Sequence, residues 1–262
     1  MRRLILALVA AFFFLLSPKG MTAQEPGPEH APDFRAIERI EPLYFPPKRN
    51  APFMAVARTL WVHTLPDGST VTTQNQRFVA RDMDGRIFQE RRTFTPVPDD
   101  GKQESQISAT QYSDPVEHTI YRCIPQQRVC NLFDYYDTIS VPLVPAGLQP
   151  NRTTYLTRED LGTDTFAGLD VQRSREIYTH YAETIGNTKT ILRTIEYWYS
   201  PALGVNVQVK RHDPRDGDQT LWLSDISPTD PGPDAFKIPP GYRIVDHRTS
   251  RSTVRAPEEP PL

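Results

Sequence analysis

Hydrophobic and polar residues alternate along most of this chain, and that period of two predicts strands. The clearest case is residues 205–210, where Val205, Val207 and Val209 alternate with Asn206, Gln208 and Lys210. Such a run fits an antiparallel strand with one face buried. In the preceding run Ile195, Tyr197 and Tyr199 alternate with Glu196, Trp198 and Ser200, so both faces carry bulk. Asp-Gly pairs between such runs are a strong hairpin signal. Strands at 59–62 and 69–73 flank Leu65-Pro66-Asp67-Gly68, and strands at 77–81 and 86–92 flank Asp84-Gly85. Further strands are expected at 117–123, 128–133, 164–166, 169–177, 190–200, 205–211 and 220–226, with a polar loop over 96–108. The stretch 178–186 is compatible with one short helix.

Two segments break this pattern. Residues 4–16 read LILALVAAFFFLL, thirteen apolar residues behind Arg2-Arg3 and ahead of Ser17-Pro18-Lys19-Gly20. As a helix that run spans about 20 Å, short of the roughly 30 Å hydrocarbon core. A cleaved secretory signal over 1–23 is therefore expected, with no stable membrane span left after cleavage. No cysteine follows the run to carry a lipid. The second segment, 24–52, is rich in proline. Asp33 can cap a short helix there with Phe34, Ile37 and Ile40 on one face, before Pro42, Pro46 and Pro47 stop it. These three residues are candidates for a lid.

Short connections between successive strands imply a meander. A sheet of about eight to ten strands is large enough to curl. The expected fold is thus mainly β, a strongly curved antiparallel sheet with one or two short helices. It forms a single domain over 53–247, followed by a charged, proline-rich tail over 248–262 expected to be disordered. Trp61, Phe78, Phe88, Tyr121, Val207 and Trp222 are the candidates to line an apolar interior.

Composition narrows the functional classes. Without residues 1–23 the chain loses Arg2, Arg3 and Lys19 and no acid, so 30 basic residues fall to 27 against 32 acidic ones, a net charge of −5. No basic stripe supports a nucleic-acid partner. The two cysteines, Cys123 and Cys130, lie in YRCIPQQRVCN. A hairpin centred between Gln126 and Gln127 sets them opposite one another, and an oxidising compartment favours the disulfide.

Motifs for chemistry are sparse. The six histidines show neither i, i+4 spacing nor clustering with cysteine, so no metal is expected. Asp213 to Asp218 is oxygen-rich, but too short for an EF-hand and without its closing glutamate, and reads as a turn. Neither a nucleophile elbow nor a glycine-rich phosphate loop occurs, so no catalytic residue and no cofactor is assigned.

Several stretches, in order, resemble a family of exported bacterial proteins of unknown function: LPDGSTVTT, RDMDGRIFQERR, YSDPVEHTIYRC, EDLGTDTFAGLDVQRSRE, IEYWYSPALGVNVQVKRHDPRDGD and LSDISPTDPGPDAFKIPPGYRIV. The Cys123/Cys130 pair departs from that pattern. The strand order and the closing D-A-F-x-I-P-P-G-Y are also similar, at fold level, to LolA-type periplasmic lipoprotein carriers. That likeness implies a half-open barrel with a lid helix and a lipid or lipidated protein as partner, in the periplasm or outside the cell. The rival functions are an interaction module of the envelope and a hydrolase whose acids converge only in space.

Overall fold

The structure is a computed structural model that describes residues 43–97, 105–135 and 144–248. The candidate lid residues Phe34, Ile37 and Ile40, the apolar run at 4–16 and the tail from 249 onward lie outside the described residues.

Two meanders, joined edge to edge, make one large curled antiparallel sheet. The first contains β1 (Phe53–Thr64), β2 (Thr70–Arg81), β3 (Ile87–Arg92), the short β4 (Thr95–Pro96), β5 (Ile107–Asp114), β6 (Thr119–Ile124) and β7 (Val129–Asp134). The second runs from β8 (Gly147–Leu148) through β9 (Tyr155–Phe166), β10 (Leu169–His180), β11 (Ile191–Ser200) and β12 (Val205–Asp213) to β13 (Gly217–Ser227). Pairing of β1 with β13 closes the seam between them. A last strand, β14 (Arg243–Asp246), runs parallel to β7 and covers that edge. Fourteen strands replace the eight to ten expected, partly because β4, β8 and β14 are only two to four residues long.

Local chemistry sets the turns. Asp67-Gly68 closes the β1–β2 hairpin, with Gly68 at φ 84° and the Asp67 carboxylate accepting from the Ser69 amide at 2.9 Å. At the β2–β3 turn the buried Asp82 accepts the amides of Asp84 and Arg86 at 3.0 and 2.8 Å, and Gly85 takes φ 85°. Gly217 opens β13 at φ 90°, where a Cβ would lie 2.1 Å from the Val62 carbonyl oxygen, so no side chain fits. Cys123 and Cys130 are cross-strand partners joined by a disulfide, with Ile124 opposite Val129 and Cα atoms 3.9 Å apart.

The register assigns side chains to faces. On the inner face stand Phe53, Ala55 and Ala57 of β1, Val79 of β2, Ile87 of β3, Leu221 and Leu223 of β13, and Val205, Val207 and Val209 of β12. Leu43 and Phe45, from the extended segment before β1, pack onto this layer. The outer face has its own smaller cluster of Tyr112, Cys123 and Cys130, against which Phe88, Tyr121, Ile238 and Tyr242 pack. The chain between β13 and β14, with a 3-10 turn at Pro233–Phe236, therefore straps the outer face.

A charged group sits in the middle of the inner layer. Arg81 is 0% exposed, and its guanidinium donates twice to Ala51 O (2.9 and 2.7 Å), to Pro46 O at 2.8 Å and to Leu203 O. Its carbon also lies 4.9 Å from the centre of the Phe53 ring. Burial pushes its pKa down to about 10, which leaves it charged at neutral pH.

Four sequence expectations change. Residues 69–73 and 77–81 are one continuous strand, β2, because polar Gln74 and Gln76 stay on its outer face. Strand β9 spans twelve residues where only 164–166 were expected, since its charged side chains sit in register with those of β10. Strand β5 starts at Ile107, inside the expected loop. The stretch 178–186 holds no helix: β10 runs on to His180, and turns follow. Among the described residues the helical elements are two single 3-10 turns.

Replacing Arg81 by Met is expected to lower unfolding stability by at least about 3 kcal/mol, because several buried carbonyls lose their donor at about 1 kcal/mol or more each. Urea denaturation measures it, and a loss under about 1 kcal/mol would contradict the pinning role. Removing the disulfide as Cys123→Ser with Cys130→Ser is expected to cost about 2–3 kcal/mol for so small a loop. Thermal unfolding of the double variant, set against the oxidised parent, checks this.

Candidate functional site

The six residues expected to line one interior do not share a face. Trp61 and Val207 belong to the inner side, whereas Phe78, Phe88, Tyr121 and Trp222 belong to the outer side. The Phe78 ring lies tilted 6.0 Å from Phe88, which lies 5.0 Å from Tyr112, in a run of outer-face rings. Trp61 instead donates its indole N–H to Asp216 O at 2.6 Å, beside the β12–β13 turn. The physical reason is visible in β2. Its inner positions are Asn75, Arg77, Val79 and Arg81, so arginine occupies places where alternation alone puts Phe78.

A cavity of about 420 Å³ does open on the inner face, and none of the six residues lines it. Its volume lies in the range of small-molecule sites. The described walls come from Leu43, Tyr44 and Phe45 on one side and from β2, β3, β5, β6 and β7 on the other. Pairing organises those strands into two rows. Ile87, Ser113, Ile120 and Phe133 are successive cross-strand partners on β3, β5, β6 and β7, and form a mostly apolar row. Gln89, Gln111 and Arg122 form the neighbouring row, two residues along each strand and thus about 7 Å away. Arg77 and Arg91 flank this polar row.

Hydrogen bonds hold the polar row in place. Arg77 donates to Gln89 Oε1 at 3.0 Å and to Leu43 O at 2.9 Å, and its guanidinium lies 5.4 Å from the Phe45 ring centre. Arg91 donates to Gln111 Oε1 at 3.3 Å, and the Gln111 amide in turn donates to Ser113 Oγ at 3.1 Å. Both amide partners are neutral acceptors. No Asp or Glu is among the described residues lining the cavity, which holds three arginines.

The buried acids sit elsewhere, each bound to an arginine. Asp82 meets Arg86 at 2.6 Å. Glu176 on β10 meets Arg158 at 2.7 Å and accepts the Tyr178 hydroxyl at 2.8 Å. Burial, with the Glu176 charge beside it, pushes the Tyr178 phenol up. Asp213 receives the Arg215 guanidinium on both oxygens, at 2.9 and 2.7 Å. The oxygen-rich segment from Asp213 to Asp218 is the β12–β13 turn, with Asp213 paired to Gly217. Among the described residues no group of three or more His, Cys, Asp or Glu is placed to hold a metal.

No family model matches the chain, and no curated protein matches it. Solved structures do. The Pseudomonas aeruginosa MucA/MucB complex aligns over 75% of this chain and 59% of that one, at 9% identity and TM-score 0.37. The Mycobacterium tuberculosis lipoprotein LppX aligns over 68% and 86% at 10% identity and TM-score 0.25. The LolA superfamily protein NE2245 from Nitrosomonas europaea aligns over 71% and 90% at 9% identity and TM-score 0.24. The chain spans about three fifths of the MucB chains it matches. A LolA superfamily protein, the class expected from the sequence, is thus among the solved structures to which the chain is similar. The signal for the cavity that sequence reading missed is the alternation in β3, where Ile87, Gln89 and Arg91 share a face opposite Phe88 and Glu90.

Burial of the Asp213 carboxyl opposes its ionisation, but the Arg215 side chain and amide outweigh that and hold its pKa below the usual value. A depressed carboxylate contributes stability that is complete above the unfolded pKa of about 4 and fades as pH falls through the folded value. Asp213→Asn is expected to cost about 1 kcal/mol at pH 7 and to flatten the loss of stability below pH 4. Unfolding midpoints measured from pH 2 to pH 7 check both parts.

Proposed function

We propose that this protein is exported to the cell envelope and binds an apolar ligand, without catalysis, in the inner-face cavity. One observation carries the reading: an inner-face cavity of about 420 Å³ whose floor is a cross-strand row of Ile87, Ser113, Ile120 and Phe133. Each methylene buried there contributes about 0.8 kcal/mol, so one alkyl chain suffices for useful affinity. The ligand-free alternative, a packed interior, leaves that space unexplained. A lipid or a lipidated protein is the partner class this geometry suits, and the N-terminal apolar run at 4–16 supports delivery to the envelope.

A second reading, contact with another envelope protein, is favoured by a separate feature. Leu148, Tyr155, Thr179 and Leu192 are successive partners across β8, β9, β10 and β11. Leu148, Tyr155 and Leu192 are 63%, 41% and 48% exposed, an apolar row near the sheet edge. Such rows mark interaction surfaces more often than chance.

The test uses uptake of N-phenyl-1-naphthylamine, a neutral dye that fluoresces in apolar surroundings. Wild-type protein is expected to bind it saturably and to release it to alkyl competitors, with affinity rising about fourfold per added methylene until the cavity is full. Ile120→Trp, which sets a bulky indole on the cavity floor, is expected to weaken uptake strongly while Leu148→Ser leaves it unchanged. Uptake that survives Ile120→Trp and disappears with Leu148→Ser would move binding to the edge and favour the second reading.

A further inference from the structure

The cavity is two-sided in its chemistry, and that asymmetry says more than its apolar floor does. Along β3, β5 and β6 the mostly apolar row of Ile87, Ser113 and Ile120 lies two residues from the polar row of Gln89, Gln111 and Arg122. A ligand lying across the strands over the first row therefore meets the second row about 7 Å away. Arg122 is solvent-exposed on that second row. Arg91 flanks it, its Nη2 held by Gln111. Glutamine orients an arginine without adding a negative charge, whereas a glutamate at the same place would cancel it. With the lining free of acidic side chains among the described residues, the polar end of the cavity presents guanidinium groups.

Resting on the cavity reading above, we infer that the bound molecule is an anionic amphiphile. Its alkyl chain lies on the Ile87–Ser113–Ile120–Phe133 row, and an oxyanion head, carboxylate or phosphate, is held by Arg122 and Arg91. Both heads accept the two parallel N–H donors of a guanidinium, which gives a forked pair of charge-assisted bonds. A neutral head forgoes that charge attraction, so the preference is one of charge and not only of chain length. Arg77 serves a different end: it donates to Leu43 O and shapes the wall. It is not part of the head-group site.

The experiment compares laurate, dodecyl phosphate and dodecanol, which share one alkyl chain, as competitors of N-phenyl-1-naphthylamine on the full mature protein. Laurate or dodecyl phosphate is expected to bind about tenfold or more tightly than dodecanol, the scale of a charge-assisted pair. Whichever anion binds tighter identifies the head. Arg122→Gln is expected to erase most of that preference and to leave dodecanol unchanged. Because Arg122 is exposed, its variant is expected to keep the parent unfolding temperature. Arg91→Gln supplies an independent variant, and rising salt on the wild-type protein weakens the anions alone. Equal binding of anions and alcohol, or a preference untouched by both substitutions, would overturn the inference while the cavity reading stands. If none of the three competes, the cavity reading itself falls.

Discussion

The fully buried Arg81 guanidinium fixes how the inner face is built. Arg81 stands where a hydrophobic residue would be routine, fully enclosed and satisfied by backbone carbonyls of Ala51, Pro46 and Leu203. An unpaired buried charge is costly, so those carbonyls must stay within reach for the fold to persist. They come from two places, the segment leading into β1 and the link between β11 and β12. Arg81 thereby ties the chain before the sheet to the second meander. Arg77, two residues earlier on the same face, repeats the device with the Leu43 carbonyl. The result is that Leu43, Tyr44 and Phe45 stand as a wall over the inner face and do not drift off as a leader.

From that wall the cavity follows. One side is the segment pinned by Arg77, and the other is the floor of β3, β5, β6 and β7. Closure of the seam between β1 and β13 leaves this first meander to carry the cavity, while the second meander packs its valines and Tyr197 into a dense inner layer. The outer face is not idle surface. The disulfide, Tyr112 and the strap of Ile238 and Tyr242 form a second small core that stiffens β5, β6 and β7 from behind. A cavity floor made of strands braced on the reverse side keeps its shape without a ligand.

The strand-rich class was legible because turn chemistry is local. Asp67-Gly68 and Asp84-Gly85 mark hairpins by their backbone needs alone, and the spacing of Cys123 and Cys130 set the β6–β7 register correctly. The faces were not legible. Aromatic residues draw the eye as interior, yet Phe88 and Tyr121 occupy the outer side, in one cluster with Ile238 and Tyr242 of a strap from the far end of the chain, and Phe78 stands beside Phe88. Nothing local to β2 announces that Arg77 and Arg81 point inward; their partners lie 34 and 30 residues upstream and, for Leu203, 122 residues downstream. Strand β9 was largely missed for a related reason: its sequence, YLTREDLGTDTF, is polar, and it is held by cross-strand ion pairs such as Arg158 with Glu176 and Glu159 with Arg175.

The central claim is that the inner-face cavity holds an alkyl chain. Native mass spectrometry of the protein, isolated under gentle conditions from the cells that make it, tests it most directly. The account predicts a population heavier than the polypeptide, whose extra mass is recovered on organic extraction as an anionic alkyl or acyl species and is much reduced in Ile120→Trp. A spectrum showing only the bare polypeptide, or an adduct that persists unchanged in Ile120→Trp, would contradict it.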